Sequence, residues 1–394
     1  MNLEYINDNP LDGVKYDFNF LKNEYKKLKC PKDVYNPCHL PFDSAKWFVV
    51  LSERARGKTT NLLLFGMLIW WHYGRGICYI RSNEQMITPK FSKDLFSNII
   101  SWGYVEKISG GKYNTVQYKS RRWYFAHVDE EDETDLISQE PFCIMLSVDK
   151  DEDYKSVLET KNDFIIFDEF IERYYYPQQF IMFCNVCKTI LRERQSGIII
   201  LSANTIDKLS PYFNELMIMD EIENLGQGEN KLITTPKGTR VYFEILGKKT
   251  QKAGKKQSLF NKLYYGFDNP KLVSITGTDT WAMDNYPHTP REFKILQKNH
   301  YILFNDKLIN LEICESIEGT IFINCHLATK TYDDSVIYTL EFFTDQRRYR
   351  YQFGITSVDK FIWNKYKQNL FTYSDNSIGS LVEKFVIGCT KGGL

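Results

Sequence analysis

No excess of charge of either sign marks this chain: 50 Lys and Arg stand against 50 Asp and Glu across 394 residues. That balance removes the simplest argument for a nucleic-acid partner, a basic isoelectric point. Long apolar runs are missing as well. The longest, Leu62 to Trp71, reaches about half the length of a membrane span, so no membrane partner is expected. The opening MNLEYINDNPLDG has none of the apolar character of a secretory signal, and a reduced, cytosolic, soluble protein is the expectation. Paired metal-ligand spacings are absent too. Among nine cysteines, Cys184 and Cys187 form one CxxC inside a helix-like segment, with no second Cys/His pair at zinc-site spacing. Core packing is the expected role of that pair. Nor is there an internal repeat.

What is present is an ordinary globular composition, 43% hydrophobic and 25% charged, which excludes wholesale disorder. Residues 1–44, punctuated by Pro31, Pro37 and Pro41, read as an N-terminal arm or lid. From residue 47 short apolar runs alternate with helix-like segments. WFVVL (47–51), ICYIR (77–81), FIIFDEF (164–170) and GIIILSAN (197–204) read as buried strands, and 59–73 and about 178–192 as helices. The alternation predicts a mostly parallel α/β sheet over residues 45–208. Residues 105–125, with Gly110-Gly111, read as a hairpin, and 209–268, with the Lys-rich KKTQKAGKK (248–256), as a linker subdomain. From 269 to 394 short strands dominate, with Asn305-Asp306 as a hairpin turn and SIGSLVEKFVIG (377–388) as an amphipathic helix; a smaller α+β domain is expected there.

The chemistry concentrates in SERARGKTT (52–60), placed directly after a strand and before a helix. It matches the second half of the phosphate-loop pattern, with Ser52 where the pattern has its first glycine. Backbone N–H groups of such a loop and the following helix N-terminus cradle phosphate oxygens. Lys58 is the residue to reach the β- and γ-phosphates, and the Thr59 hydroxyl the ligand for Mg²⁺. Ser52, Arg54, Arg56, Gly57, Lys58, Thr59 and Thr60 are therefore candidate ATP-binding residues; solvated loop charge is the alternative for the two arginines. Asp168 ends an apolar strand, as a Walker B carboxylate supporting Mg²⁺ does. Glu169 beside it is placed to orient and deprotonate a water. Ser202 and Asn204 end the next strand, where polar groups can sense the γ-phosphate. Arg192 and Arg194 close the intervening helix, and either can act as an arginine supplied to a neighbouring subunit or simply face the helix dipole. Arg81 is a further candidate.

The set VVLSERARGKTT, CYIR, IIFDEFIER, the LRER helix end and LSANTIDKLSPYF resembles the DNA-packaging (encapsidation) ATPases of small protein-primed podophages, the picovirus type, relatives of terminase large subunits. The resemblance covers 47–215 and continues more loosely through 302–324. It implies an ASCE-type P-loop ATPase domain, a linker, and a C-terminal domain resembling a reduced, inactive RNase H-like nuclease. It implies a homo-oligomeric ring, a pentamer, on the portal (connector) vertex of an empty procapsid in the host cytoplasm, where ATP hydrolysis drives double-stranded viral DNA inward. By position Lys58 and Thr59 match the phosphate-loop pair, Asp168 the Walker B acid, Glu169 the catalytic glutamate, Arg192 the trans-acting finger and Arg54 the arginine carried within the loop. Whether a structural RNA takes part stays undetermined. A terminase with a metal-dependent nuclease and a non-hydrolysing nucleotide-binding scaffold are the alternatives; Glu312, Glu315, Asp333 and Asp334 form no run typical of a two-metal site. The zero net charge also resolves into opposed blocks. Residues 45–128 hold 13 basic and 4 acidic residues, 129–169 hold 3 and 15, and 226–300 hold 13 and 6. Sorted charge suits a protein that must hold and release a polyanion.

Overall fold

The computed structural model describes residues 14–52, 56–129, 134–154, 161–171, 178–192, 194–204, 210–222, 224–247, 286–340, 349–350 and 356–391. They fall into two compact units. The first comprises 1–170, 179–206 and 220–256; the second comprises 171–178, 207–219 and 257–394.

The first unit is built on one sheet. Its strands are β1 (Trp47–Leu51), β2 (Gly76–Arg81), β3 (Thr115–Lys119), β4 (Arg122–Val128), β5 (Thr134–Ile137), β6 (Cys143–Ser147), β7 (Asn162–Asp168), β8 (Ile198–Ala203), β9 (Asn230–Thr234) and β10 (Arg240–Ile245). Their order is β3-β4-β6-β2-β7-β8-β1-β10-β9, with β5 paired to β4. The six central strands, β6 to β10 in that order, run parallel. β1, β2, β7 and β8 are buried along nearly their whole length, as their continuous apolar runs require of strands covered on both faces. Among the described residues three helices of ten or more residues belong here: α1 (Phe18–Lys27), α2 (Lys58–Tyr73) and α3 (Gln179–Leu191). α2 is apolar nearly all round and lies buried against the sheet. Its Gly66 permits that approach, since a Cβ there would stand 2.5 Å from Ile77 Cγ1 and 3.0 Å from Phe164 Cδ1.

Three sequence expectations change. Residues 14–44 are no detached arm or lid but part of this unit's core. Tyr16, Phe18, Leu21, Tyr25, Leu28, Tyr35, Leu40 and Phe42 are all buried in it. Phe42 stacks between Phe18 (4.9 Å) and Phe65 of α2 (5.1 Å), and each such ring contributes about 1.5–3 kcal/mol by leaving water. The stretch expected as a linker from 209 supplies β9 and β10, and β10 pairs in parallel with β1 along its whole length; KKTQKAGKK lies outside the described residues. The hairpin expected around Gly110-Gly111 is the β3–β4 pair. Its turn is Ser120-Arg121, both at positive φ, whereas Gly110 (φ 62°) caps a short helix.

The second unit holds a six-stranded sheet of β11 (Phe293–Phe304), β12 (Lys307–Ser316), β13 (Ile321–Leu327), β14 (Val336–Thr339), β15 (Tyr349–Arg350) and β16 (Phe371–Tyr373), ordered β15-β14-β11-β12-β13-β16. β11, β12 and β13 form an antiparallel meander, and β14 returns parallel to β11. Asn305 (φ 54°) and Asp306 (φ 55°) make the tight turn between β11 and β12, as their tolerance of left-handed backbone allows. One face is closed by α4 (Ser357–Lys367) and α5 (Asn376–Lys391), which bury Ile309, Leu311, Ile313, Ile323 and Cys325 with Leu381, Val382 and Phe385. A capping box of Thr356 and Asp359 starts α4.

Candidate active site

Strand β1 stops at Leu51, and α2 starts at Lys58. Gly57 caps that helix at φ 74°, and a Cβ there would meet Asn61 Nδ2 at 3.1 Å and Val34 Cβ at 3.2 Å. A left-handed glycine is thus demanded both by the backbone and by the segment packed over it. Tyr35 N–H donates to the Arg56 carbonyl (2.7 Å), and Asn61, which accepts from the Tyr25 hydroxyl, donates to the Gly57 carbonyl (2.8 Å). The N-terminal segment therefore fixes the loop backbone from outside. Ser52 continues the β1–β8 pairing through its N–H to the Ala203 carbonyl (3.2 Å).

The parallel strands deliver the remaining groups to the same sheet edge. β8 lies between β1 and β7, so the ends of all three are adjacent. Lys58 Nζ donates to Ser52 Oγ (2.6 Å) and to Asn204 Oδ1 (2.8 Å), and Asn204 Nδ2 donates to Glu169 Oε1. The Thr59 hydroxyl sits 3.1 Å from both oxygens of Asp168. Asp168 also accepts from Ser202 Oγ (3.1 Å) and the Tyr79 hydroxyl (2.6 Å), with Arg81 Nη1 at 3.6 Å. Ser52, Arg56, Gly57, Lys58, Thr59, Asp168, Glu169 and Asn204 are thus held at one sheet edge, with Thr60 in the next position of α2; Arg54 lies outside the described residues.

The electrostatics fit an anion and a cation together. Burial pulls Lys58 down to about 8 against the opposing pull of Asp168 and Glu169, so its ammonium is short of counter-charge. Burial first, and Asp168 second, push the Glu169 carboxyl above its ordinary range, the direction a general base requires. Nε of Arg56 and Nε of Arg81 are buried without a hydrogen-bond partner among the described residues. Two unsatisfied guanidinium donors and a desolvated lysine suit phosphate oxygens, and the Thr59 hydroxyl with the Asp168 carboxylate offers the hard oxygen donors that Mg²⁺ takes.

Sequence reasoning did not single out Tyr79, which binds Asp168 from a neighbouring strand. The usable signal was its spacing of two from Arg81, which puts both on one face of β2. It also missed buried Glu244 on β10, which receives Tyr35 OH (2.8 Å) and His39 Nε2 (2.5 Å) and so pins the N-terminal segment to the sheet.

The two arginines of the helix end part company. Arg192, at φ 52°, is exposed. Arg194 is not available as a finger. Its side chain is 4% exposed, and its Nε lies 2.7 Å from Oδ1 of fully buried Asp163. Ser196 Oγ and the Tyr16 hydroxyl donate to the same carboxylate, and Arg75 Nε stands 3.7 Å away. Cys187 is buried in α3, and no cluster of three or more His, Cys, Asp or Glu is found among the described residues.

No family model and no curated protein matches the sequence. Solved structures do. The Phi-28 gp11 DNA packaging motor is 12% identical with a TM-score of 0.57, over 91% of this chain and 98% of its own. The packaging motor assembly of bacteriophage Phi-29 is 14% identical with a TM-score of 0.56, over 90% of this chain and 99% of its own. Among the described residues no helix is long and apolar enough to cross a membrane. Over nearly its whole length, the chain has the fold of phage DNA-packaging motor proteins.

Proposed function

We propose that this chain is an ATPase that couples hydrolysis to movement of double-stranded viral DNA into a procapsid, as a ring of identical subunits at the portal vertex. The observation carrying the reading is the convergence of Lys58, Thr59, Asp168, Glu169 and Asn204 at one sheet edge, on a fold shared with packaging motors over nearly the whole chain. A strand inserted between the phosphate-loop strand and the Walker B strand supports the ASCE class.

Lys58 and the amide groups at the start of α2 would bind the phosphates of ATP, with Arg56 and, at the same loop, Arg54 as further donors. Thr59 and Asp168 would hold Mg²⁺, which when bound neutralises charge on the β- and γ-phosphate oxygens. Glu169 would orient the attacking water and take its proton. Asn204 bonds both Lys58 and Glu169, so any shift of Lys58 toward phosphate is felt at the catalytic carboxylate. Arg192 is the finger we assign, acting on the site of the adjacent subunit.

In the second unit the order β13-β12-β11-β14-β15, with β12 antiparallel to its neighbours, supports a reduced RNase H-like domain. We read the domain as inactive as a nuclease; that Glu312 and Glu315, three apart on β12, face opposite sides of the sheet supports this. We assign it to binding portal, capsid or DNA. The deciding experiment is Glu169→Gln. ATP binding should survive while steady-state ATPase and packaging into empty procapsids are lost; retained turnover would remove the assignment.

A further inference from the structure

On the sheet face of the second unit opposite α4 and α5, strand alternation brings together Asn310, Glu312, Asn324 and His326. Asn310 stands directly across from His326, and Glu312 across from Asn324. His326 Nε2 lies 3.2 Å from Glu312 Oε1. The other ring nitrogen, Nδ1, lies 2.9 Å from the Leu327 carbonyl. A carbonyl can only accept, so Nδ1 carries a proton and Nε2 is the nitrogen turned toward the carboxylate. The position between Nε2 and Oε1 takes one positive charge, a proton or a metal ion.

A shared proton would satisfy the pair and nothing else. A third group next to it asks for more. Asn310 is 6% exposed, and its Oδ1 has no hydrogen-bond partner among the described residues. A buried amide oxygen left in that state costs about 1–3 kcal/mol. Two donors bound to one ion at about 2.1 Å, at angles between octahedral and tetrahedral, stand about 3.0–3.4 Å apart, and the Glu312–His326 separation of 3.2 Å falls in that window. The surroundings are those of ligands held in place. Glu312 Oε2 accepts from Asn324 Nδ2 (2.8 Å), whose own oxygen accepts from Thr289 Oγ1 (2.6 Å). Metal-bound histidines commonly donate their second N–H to a backbone carbonyl, as Nδ1 does here.

We propose that Glu312, His326 and Asn310 bind a divalent cation through Glu312 Oε1, His326 Nε2 and Asn310 Oδ1, with Asn324 and Thr289 orienting the carboxylate. Two oxygen donors beside one imidazole suit an oxygen-preferring ion that also accepts nitrogen, such as Mn²⁺. With three protein donors, further coordination positions stay open to water or to an oxygen of a bound molecule.

The test uses the full chain without nucleotide, in the Asp168→Asn background so that the carboxylate beside Thr59 does not contribute. Free Mn²⁺ is followed by its electron paramagnetic resonance signal; Mn²⁺ is chosen because it ignores the nine free thiols. One Mn²⁺ should bind per chain. Glu312→Gln and His326→Gln should each abolish it, Asn310→Leu should weaken it at least tenfold, and Thr289→Val should weaken it about 10–100-fold. His326 is 35% exposed, so its replacement leaves the fold intact, and circular dichroism checks each variant. No stoichiometric Mn²⁺, or binding that persists in Glu312→Gln or is indifferent to Asn310→Leu, would overturn the site and leave a simple Glu312–His326 ion pair.

Discussion

Replacing Arg194 by alanine separates a structural arginine from the proposed finger two residues away. The Arg194 side chain is 4% exposed and its partner Asp163 fully buried. Its Nη2 also donates to the Ile190 carbonyl, closing the end of α3 (2.8 Å). Removing one member of a buried ion pair leaves the other charged and unpaired, at about 3–5 kcal/mol. Asp163 would keep the Ser196 and Tyr16 hydroxyls, with Arg75 at 3.7 Å, so the lower end, about 3 kcal/mol, is expected. For a unit of this size that lowers Tm by roughly 6–12 °C. Arg192→Ala removes only an exposed side chain, so its melting curve should overlay the wild type. Its defect should instead appear in mixed assemblies, where a few variant subunits remove more ATPase activity than their fraction. The assay is paired thermal melts and mixed-ring ATPase titrations. An Arg194→Ala chain that melts like wild type while losing only activity would refute the division.

Other outcomes follow from the same geometry. Tyr79→Phe removes a donor from Asp168 without changing volume, and apparent Mg²⁺ affinity in the ATPase assay should fall at least tenfold with Tm little moved. Gly57→Ala forces a side chain into left-handed backbone and against Asn61 and Val34, so about 1–2 kcal/mol of stability and most ATP affinity should be lost in denaturant and binding titrations. Lys58, pulled down to about 8, must be charged to hold phosphate. Near pH 8 ATP binding should therefore take up about half a proton, visible as a buffer dependence in calorimetry. Above that pH the affinity should weaken toward tenfold per unit, and below pH 7 it should level off; a buffer-independent heat would count against Lys58 as the phosphate ligand.

The strands that carry the site were legible because they are buried on both faces and read as unbroken apolar runs. WFVVL, FIIFDEF and IIILSAN each ended within a residue or two of its expected place. Their polar last residues could be assigned chemistry for the same reason, since a charged residue at the end of such a run has to sit at the sheet edge. The N-terminal segment was not legible. Phe18, Leu21 and Tyr25 keep the helical spacing of α1, but Tyr35 and Phe42 follow across Pro31, Pro37 and Pro41 without a period, and what makes the whole segment core is the apolar surface of α2, a partner that local periodicity cannot register. β10 was hidden differently: RVYFEI carries Glu244 one residue before its end, which reads as an exposed strand until Tyr35 and His39 are seen to satisfy it. The hairpin turn was misplaced because Ser120-Arg121 adopts left-handed backbone without glycine, while the conspicuous Gly110-Gly111 terminates a helix.

The two ends of β7 argue for a neighbour. Asp163 is the second residue of the strand and Asp168 the last, and five residues of strand span about 17 Å. Asp168 gathers Thr59, Ser202 and Tyr79 at one sheet edge; Asp163 gathers Arg194, Ser196 and Tyr16 at the other. α3 runs from the first edge back to the second, since the chain must return before β8 can run parallel to β7. Arg192, one residue past α3, is therefore delivered to the edge remote from its own phosphate loop, on a helix end that the buried Arg194–Asp163 pair holds rigid. If it meets a phosphate at all, that phosphate belongs to another copy of the chain. A lone subunit should then bind ATP with the same affinity in wild type and Arg192→Ala, and differ only once subunits assemble; a difference in the dilute, unassembled chain would place Arg192 in cis and break the argument.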